Sequence, residues 1–445
     1  MHPRPSWAGQ RRELPGAVVA KAQQGEVVAT TLTDLLARDS GLTRKAATSS
    51  SSGGRRRPLP PGQLEIQRQR DVQQHPAPTR FDDDDDDDAL PATDTDLSSA
   101  IESLSFHPTS RRTRLLCTAS RDRRVRLYNV DGRDNPLLQT IHVPSLPLRK
   151  ATWHPSGQSI LLAGPRPYLY SYDVQSGKAL RSTPWRGASS GGGEGEGERD
   201  LSMAQFQPPG AGSSSGLLAV GGRRGHVHLL DWGRSPEVAS STSEGGGGGG
   251  RGGGSHLLHT LSHNAPLAGL AWDPSPSHTH QLLSLGQDGS FQQWDTRTLR
   301  CPLTVRDSGL HAPNSLAASP DGQRWAVGTQ SGIVALYTRD ALLSPTSGSG
   351  LVEPTKSLSN LITSTSSLTF DQSSQILGLA SRSKKDALRL AHAGEGSVYA
   401  NWPTSGTPVG RVSDLAFDTS AGRGGVVAVG NTRGRTLLFS LGHFS

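Results

Sequence analysis

The sequence predicts an all-β chain: a propeller of seven blades preceded by a largely irregular amino-terminal extension. Three observations carry that expectation. A strand-and-turn phrase recurs seven times after residue 100, each copy is followed by two further β-like runs, and glycines recur at one offset inside the hairpins.

The phrase is an alternating strand that ends in an aromatic or small residue and then a turn. It reads IESLSFHP, RKATWHP, LSMAQFQP, LAGLAWDP, PNSLAASP, TSSLTFDQ and VSDLAFDT, ending at Pro108, Pro155, Pro208, Pro274, Pro320, Gln372 and Thr419. The spacings are 47, 53, 66, 46, 52 and 47, and the two widest contain glycine-rich tracts at about 187–200 and 241–255. Without those tracts the period approaches the ~40–45 residues of a four-stranded blade. The tracts read as flexible surface inserts in a propeller spanning 98–445.

Second strands follow as LLCTAS, SILLAG, LLAVGG, LLSLGQ, RWAVGT, ILGLAS and VVAVGN, and third strands as VRLYNV, YLYSYDV, VHLLDW, FQQWDT, VALYT, LRLAH and LLFSL. Gly225, Gly289, Gly332 and Gly434 each stand five residues before the position that Trp294 fills in the fourth blade. A tight hairpin needs positive φ there, which glycine takes without strain.

The most complete hairpin is SLGQDGSFQQWDTRTL, Ser284 to Leu299. Aligned on the WD repeat (WD40), His263 precedes the first strand, Ser284 lies in the second, Asp288 in the turn and Trp294 in the third. These four types are expected to form a buried hydrogen-bonded chain that locks the blade, with Asp288 as the acceptor for the His263 ring. The other blades lack the set and are expected to hold by apolar packing.

Residues 1–97 form the extension, with a Ser/Gly/Arg stretch and seven consecutive aspartates, Asp82 to Asp88, that repel one another and stay solvated. One piece of it looks ordered. The seventh blade runs out soon after TLLFSL, and a bare outer edge invites aggregation. GQLEIQRQ, Gly62 to Gln69, alternates with Leu64 and Ile66 on one face and is expected to supply the missing strand.

Composition narrows the function. Only seven of the 46 basic residues are Lys, and the net charge is +7. Arg binds phosphate bidentately, so the excess fits a nucleic-acid-rich setting, although a GC-rich genome would produce the same bias. Cys117 and Cys301 make neither a disulfide framework nor a Cys-based zinc site. The start of the sequence lacks the apolar core of a signal peptide and no apolar run approaches the ~18 residues of a membrane span, which points to a soluble intracellular protein with no membrane partner.

Catalytic patterns are missing. Gly177-Lys178 is followed by Ala179, so no P-loop forms, and HExxH does not occur. GASSG, Gly187 to Gly191, matches a nucleophile elbow in letters only, because both flanks read as flexible. His256, His259 and His263 lack a Cys or carboxylate at matching spacing, so no metal site is expected. A single RGG at Arg251 reads as linker rather than as an RNA-binding tract. No enzyme activity, cofactor, metal or small-molecule substrate is expected.

Basic residues cluster in two turns between second and third strands. Arg121, Arg123 and Arg124 lie in the first blade, and Arg382, Lys384 and Lys385 in the sixth. Both turns fall on one rim of the wheel, either as a solvated charged edge or as a contact for RNA or a partner.

Several segments resemble the U3 small nucleolar RNA-associated protein 18 family, a WD-repeat component of the small-subunit processome. They are SKKDALRLAHAGEGSVYANWPT, VSDLAFDTSAGRGGVVAVGNTRGRTLLFSLGHFS, LPPGQLEIQRQRD and HPRPSWA. The resemblance implies a non-catalytic scaffold in the nucleus and nucleolus, acting in pre-rRNA processing and small-subunit biogenesis. The implied partners are other processome proteins, WD40 proteins among them, and the U3 small nucleolar RNA particle with its pre-rRNA. In the family, a segment like HPRPSWA follows a charged extension with a short motif that recruits the exosome's helicase. This sequence starts at that segment, so the resemblance does not carry such recruitment onto these residues. The competing reading is a generic WD40 adaptor, such as a ubiquitin-ligase substrate receptor or a chromatin-associated reader.

Overall fold

The computed structural model describes residues 59–72, 99–109, 113–182, 198–209, 216–222, 224–232, 257–343, 350–404, 406–419 and 424–444. Among them stand seven antiparallel sheets of four strands each, the blades of a propeller. Blade 1 runs outward from Ile101–Phe106 through Leu115–Ser120 and Arg124–Asn129 to Leu137–His142. Blade 4 repeats the plan with Leu267–Trp272, Gln281–Gly286, Ser290–Asp295 and Arg300–Arg306. The inner strands of neighbouring blades touch one another around the axis. The predicted fold class is therefore borne out.

Burial follows the period of the strands. Second strands are buried on both faces, since each blade is sandwiched between two others, and Leu115–Ser120 is buried at every residue. Outer strands are half wet, as in Leu137–His142, where only Ile141 is buried. Apolar clusters fill the seams, one of them joining Leu127 and Ile141 of blade 1 to Trp153, Ile160 and Tyr172 of blade 2. The first strands of blades 1, 4, 5 and 7 carry a register shift at one equivalent place, Ile101/Ser103, Leu267/Gly269, Pro313/Ser315 and Val412/Asp414. The repeat thus extends to backbone irregularities that a sequence pattern does not display.

Blade 7 is assembled from two distant parts of the chain. Val412–Asp418, Gly425–Asn431 and Thr436–Leu441 give its inner three strands, and Ile66–Arg68 gives the fourth. Ile66 lies opposite Leu441 and Arg68 opposite Phe439. The strand itself is only three residues long, but the segment around it is held on both sides. Leu59 N–H donates to Gln375 at 2.6 Å, and Asn401 exchanges two hydrogen bonds with the Leu64 backbone at 3.1 and 2.7 Å, all on the blade 6 side. At the other end Asn135 of blade 1 donates to the Arg70 carbonyl at 2.7 Å. Leu59 and Leu64 join the core between blades 6 and 7, and Val72 joins the core between blades 7 and 1. The segment is a strap across three blades rather than an edge strand alone.

The Asp82 to Asp88 run, GASSG, Arg251 and the tract at 241–255 lie outside the described residues. The end of the other tract does not behave as a flexible insert. Glu198 is buried, 3.7 Å from the His228 Nε2 of blade 3. Its carboxylate fills the space above Gly222, where any Cβ would lie 2.3 Å from Oε1.

Candidate nucleic-acid interface

In an antiparallel blade the turn between second and third strands lies at the same end as the connection entering its first strand, so the seven such turns share one rim. Each turn is tied to the connections on both sides. Arg121 N–H donates to Ala100 and Val143 N–H to Arg123 in blade 1, while Gln287 N–H donates to Pro266 and Asp307 N–H to Gly289 in blade 4. Side chains on this rim are thus displayed from a fixed backbone.

Blade 4 shows how one turn is locked. Trp294 Nε1 donates to Ser284 Oγ at 2.9 Å, Ser284 Oγ lies 3.3 Å from His263 Nδ1, His263 Nε2 lies 3.0 Å from Ser290 Oγ, and Ser290 Oγ donates to Asp288 at 2.5 Å. A carboxylate can only accept, so Ser290 gives its proton to Asp288 and the neutral His263 ring carries its own on Nε2; Nδ1 is then an acceptor facing the Ser284 hydroxyl, which also lies 3.3 Å from the Gln292 carbonyl. Burial holds the His263 ring below the usual imidazole range against the pull of Asp288, which keeps it neutral. Burial alone would raise the Asp288 carboxyl, but the Ser290 hydroxyl and amide, with Arg306 nearby, hold it below the usual carboxylate range.

The expected four-residue lock is corrected here in two respects. Asp288 does not touch His263, because Ser290 stands between them, and Asp288 itself is exposed at the rim. Gly286 is what lets the chain close: a Cβ there would meet Asp288, His263 and Ser290 at 2.5 to 2.8 Å. The expectation that other blades hold by apolar packing alone also fails. Blade 1 has buried Arg126 on Asp122 at 2.7 Å, blade 5 pairs Thr329 with Ser331 at 2.9 Å, and blade 7 uses Asn431 to accept Arg433 and Arg435 N–H at 3.0 and 2.9 Å. A buried polar group needs a partner, and these blades supply different ones.

The expected contact residues are placed as follows. Arg121, Arg123 and Arg124 are exposed on the blade 1 turn, and Lys384 and Lys385 on the blade 6 turn. Arg382 differs: it is half-buried and paired with Glu102 of blade 1 at 2.9 Å, so its charge is spent within the fold. Of the other arginines in the blade 1 segment, Arg126 is buried on Asp122. Arg114 lies at the opposite rim, ion-paired with Asp418 at 2.9 Å.

Three exposed cations complete the surface: Arg411, on the connection into blade 7, and Arg433 and Arg435, on the blade 7 turn. Blade 7 stands between blades 6 and 1, so these residues bridge the two separate clusters into one arc. Backbone contacts mark its continuity. Asp386 N–H donates to Gly410 at 2.8 Å, Thr432 N–H to Arg411 at 3.0 Å, and a Cβ on Gly434 would lie 2.8 Å from the Ser99 carbonyl. A signal existed in NTRGRT, at the same repeat position as SRDRR, but it is legible only when turns are compared by register rather than by charge density.

The acids along the arc are engaged: Asp122 with Arg126, Glu102 with Arg382, and Asp386 with the N–H groups of Val409 and Gly410 at 2.8 and 2.9 Å. The turns of blades 4 and 5 carry no cation, and the nearest, Arg306, donates to the Asp288 carbonyl at 3.2 Å. Among the described residues no group of three or more His, Cys, Asp or Glu could hold a metal ion. His259 is exposed, His263 is taken up in the lock, and His256 lies outside the described residues. Cys117 is buried, its thiol pushed up to about 12 by desolvation.

Seven four-stranded blades and a Trp-Ser-His lock in one of them define a WD-repeat propeller. The WD domain, G-beta repeat family matches residues 94–129, a span that takes in the first three strands of blade 1. The probable U3 small nucleolar RNA-associated protein 18 of Schizosaccharomyces pombe is 32% identical over 346 residues, covering 78% of this chain and 58% of that protein. The U3 small nucleolar RNA-associated protein 18 of Saccharomyces cerevisiae is 30% identical over 413 residues, 87% of this chain and 62% of that protein. The Arabidopsis thaliana homolog is 29% identical over 344 residues, 77% and 54% respectively. The chain belongs to the U3 small nucleolar RNA-associated protein 18 family, and it spans a little over half the length of these relatives.

Proposed function

We propose that this protein is a non-catalytic scaffold of the small-subunit processome, acting in the nucleolus in pre-rRNA processing and small ribosomal subunit biogenesis. The observation that supports it is the similarity to U3 small nucleolar RNA-associated proteins over 78% of the chain in S. pombe and 87% in S. cerevisiae, far more than one repeat. The partners are other processome proteins, WD40 proteins among them, and the U3 particle with its pre-rRNA. A propeller suits that role because its rigid rim offers separate surfaces without a moving part. The arc on blades 6, 7 and 1 is the surface that meets the particle. Affinity purification of the tagged protein, with identification of bound RNA and protein, tests the reading. U3 RNA and small-subunit precursor should be enriched over bulk RNA; enrichment of ubiquitin-ligase or chromatin proteins without them would favour the adaptor reading instead.

A further inference from the structure

The arc does not stop at blade 1. Arg123 Nη1 donates to the Pro144 carbonyl at 2.7 Å, and the next residue, Ser145, holds two tyrosines of blade 2. Tyr168 donates to the Ser145 carbonyl at 2.9 Å, and the Tyr170 hydroxyl lies 2.7 Å from Ser145 Oγ. The rings meet edge to face, centroids 5.9 Å apart at 83°, and both pack against the core between blades 1 and 2. Over the Tyr168 ring lies the guanidinium of Arg181, its carbon 5.0 Å from the centroid. Arg181 is fixed through the backbone, since it pairs with Tyr170 across the outer strands. It is exposed, and no carboxylate pairs with it among the described residues.

We infer that the seam of blades 1 and 2 is a base-stacking step for single-stranded RNA whose phosphates run along the basic arc. The inference rests on the reading of that arc as the face toward the particle. The guanidinium is planar and Arg181 is exposed, and such a plane stacks on an unpaired base whatever its identity. An acidic protein partner would use the charge of Arg181 but not its plane, whereas an RNA duplex keeps its bases covered and would use the phosphates alone. Cations along the blade 1 turn and a planar step beside them on one rim therefore favour the single strand.

Fluorescence anisotropy on the full chain tests this with a labelled uridine dodecamer, an RNA duplex of equal length and a polyaspartate peptide. The single strand should bind at least about 5-fold more tightly than the duplex, the least that one stacked base gives. Arg181→Lys keeps the charge and removes the plane, so it should weaken the single strand about 5-fold or more, leave the duplex unchanged and keep the salt dependence. The double change Lys384→Glu, Lys385→Glu should weaken both RNAs and flatten their salt dependence. Melting curves and near-ultraviolet dichroism confirm that each variant is folded. Equal affinity for strand and duplex, tighter binding of polyaspartate, or a folded Arg181→Lys chain that binds the single strand normally would overturn the inference. The scaffold reading is scored separately. A chain that enters pre-ribosomal particles but shows no strand preference loses only the stacking step, and one that stacks RNA but enters no particle loses only the scaffold role.

Discussion

Blades 7 and 1 share a plan with blades 4 and 5, yet the two pairs present different chemistry on the same rim. The turns of blades 7 and 1 expose Arg433, Arg435, Arg121, Arg123 and Arg124, while those of blades 4 and 5 expose Gln287, Asp288, Gln330 and Ser331. Near the blade 5 turn, Ile333 and Ile362 are 41% and 78% exposed, so that side mixes polar, acidic and apolar side chains where the other is basic. A general Arg bias would scatter cations evenly over seven equivalent turns. Cations stand instead on the turns of five consecutive blades, 6, 7, 1, 2 and 3, with Arg166 and Arg224 among them, and are missing from those of blades 4 and 5, so the rim is sided, as a surface facing one polyanion requires.

The pairs also close differently, and breaking the closures gives the largest expected effects. Deleting residues 59–70 removes Leu59 and Leu64 from one seam and the outer strand from blade 7. At about 1.5–3 kcal/mol for each fully buried apolar side chain, the loss comes to about 5 kcal/mol, a large part of a domain's stability, and the melting temperature should fall sharply. An unchanged melting curve would show that the strap only decorates a closed wheel. Next comes Ser284→Ala in blade 4, which strands the buried Trp294 N–H and the His263 ring at about 1–3 kcal/mol each by thermal or urea unfolding. Asp288→Ala should cost less, about 0.5–1.5 kcal/mol, because Ser290 still faces the ring and the vacated site is wet. A larger loss for Asp288→Ala than for Ser284→Ala would contradict the order of bonds in the lock.

A smaller effect follows from protonation. Burial depresses His263, and likewise His228 of blade 3, where Glu198 partly offsets it. Folded rings then bind protons less readily than unfolded ones, whose ordinary value is 6.5. The stability these rings contribute is complete above that value and is lost as pH falls below it. Melting temperature should therefore drop between pH 7.5 and 5.5, and the drop should shrink in His263→Gln. The same slope in both proteins would place the titration elsewhere.

Much of this was legible in the sequence because a blade is a local object. The seven phrases and the glycines at Gly225, Gly289, Gly332 and Gly434 reflect hairpins closed within a few residues, and all four take positive φ. The Trp294 to Ser284 to His263 portion of the lock is set by the same repeat. What the pattern did not disclose depends on distance. Ser290 entered the lock only once the hairpin was folded, because it stands just ahead of the FQQWDT run, where the repeat pattern gave it no role. Arg382 looked like its neighbours until the ring brought Glu102 beside it, 280 residues away in the chain. Arg411, Arg433 and Arg435 become one surface with Arg121 only when blade 7 meets blade 1, and the Tyr168–Arg181 pair needs the outer strand of blade 2 in register.

Sidedness is tested most directly by adding negative charge to each half of the rim and following entry into pre-ribosomal particles on sucrose gradients over a salt series. The variant with Lys384, Lys385, Arg433 and Arg435 changed to Glu should melt like the parent, since these side chains are exposed on turns. It should co-sediment poorly at low salt and show a shallower salt dependence, because fewer phosphate contacts release fewer counterions. The control variant, with Gln287 and Gln330 changed to Glu, should co-sediment like the parent. Normal co-sedimentation of the first variant at every salt concentration, or equal loss in both, would contradict the account and leave the basic arc as a solvated edge.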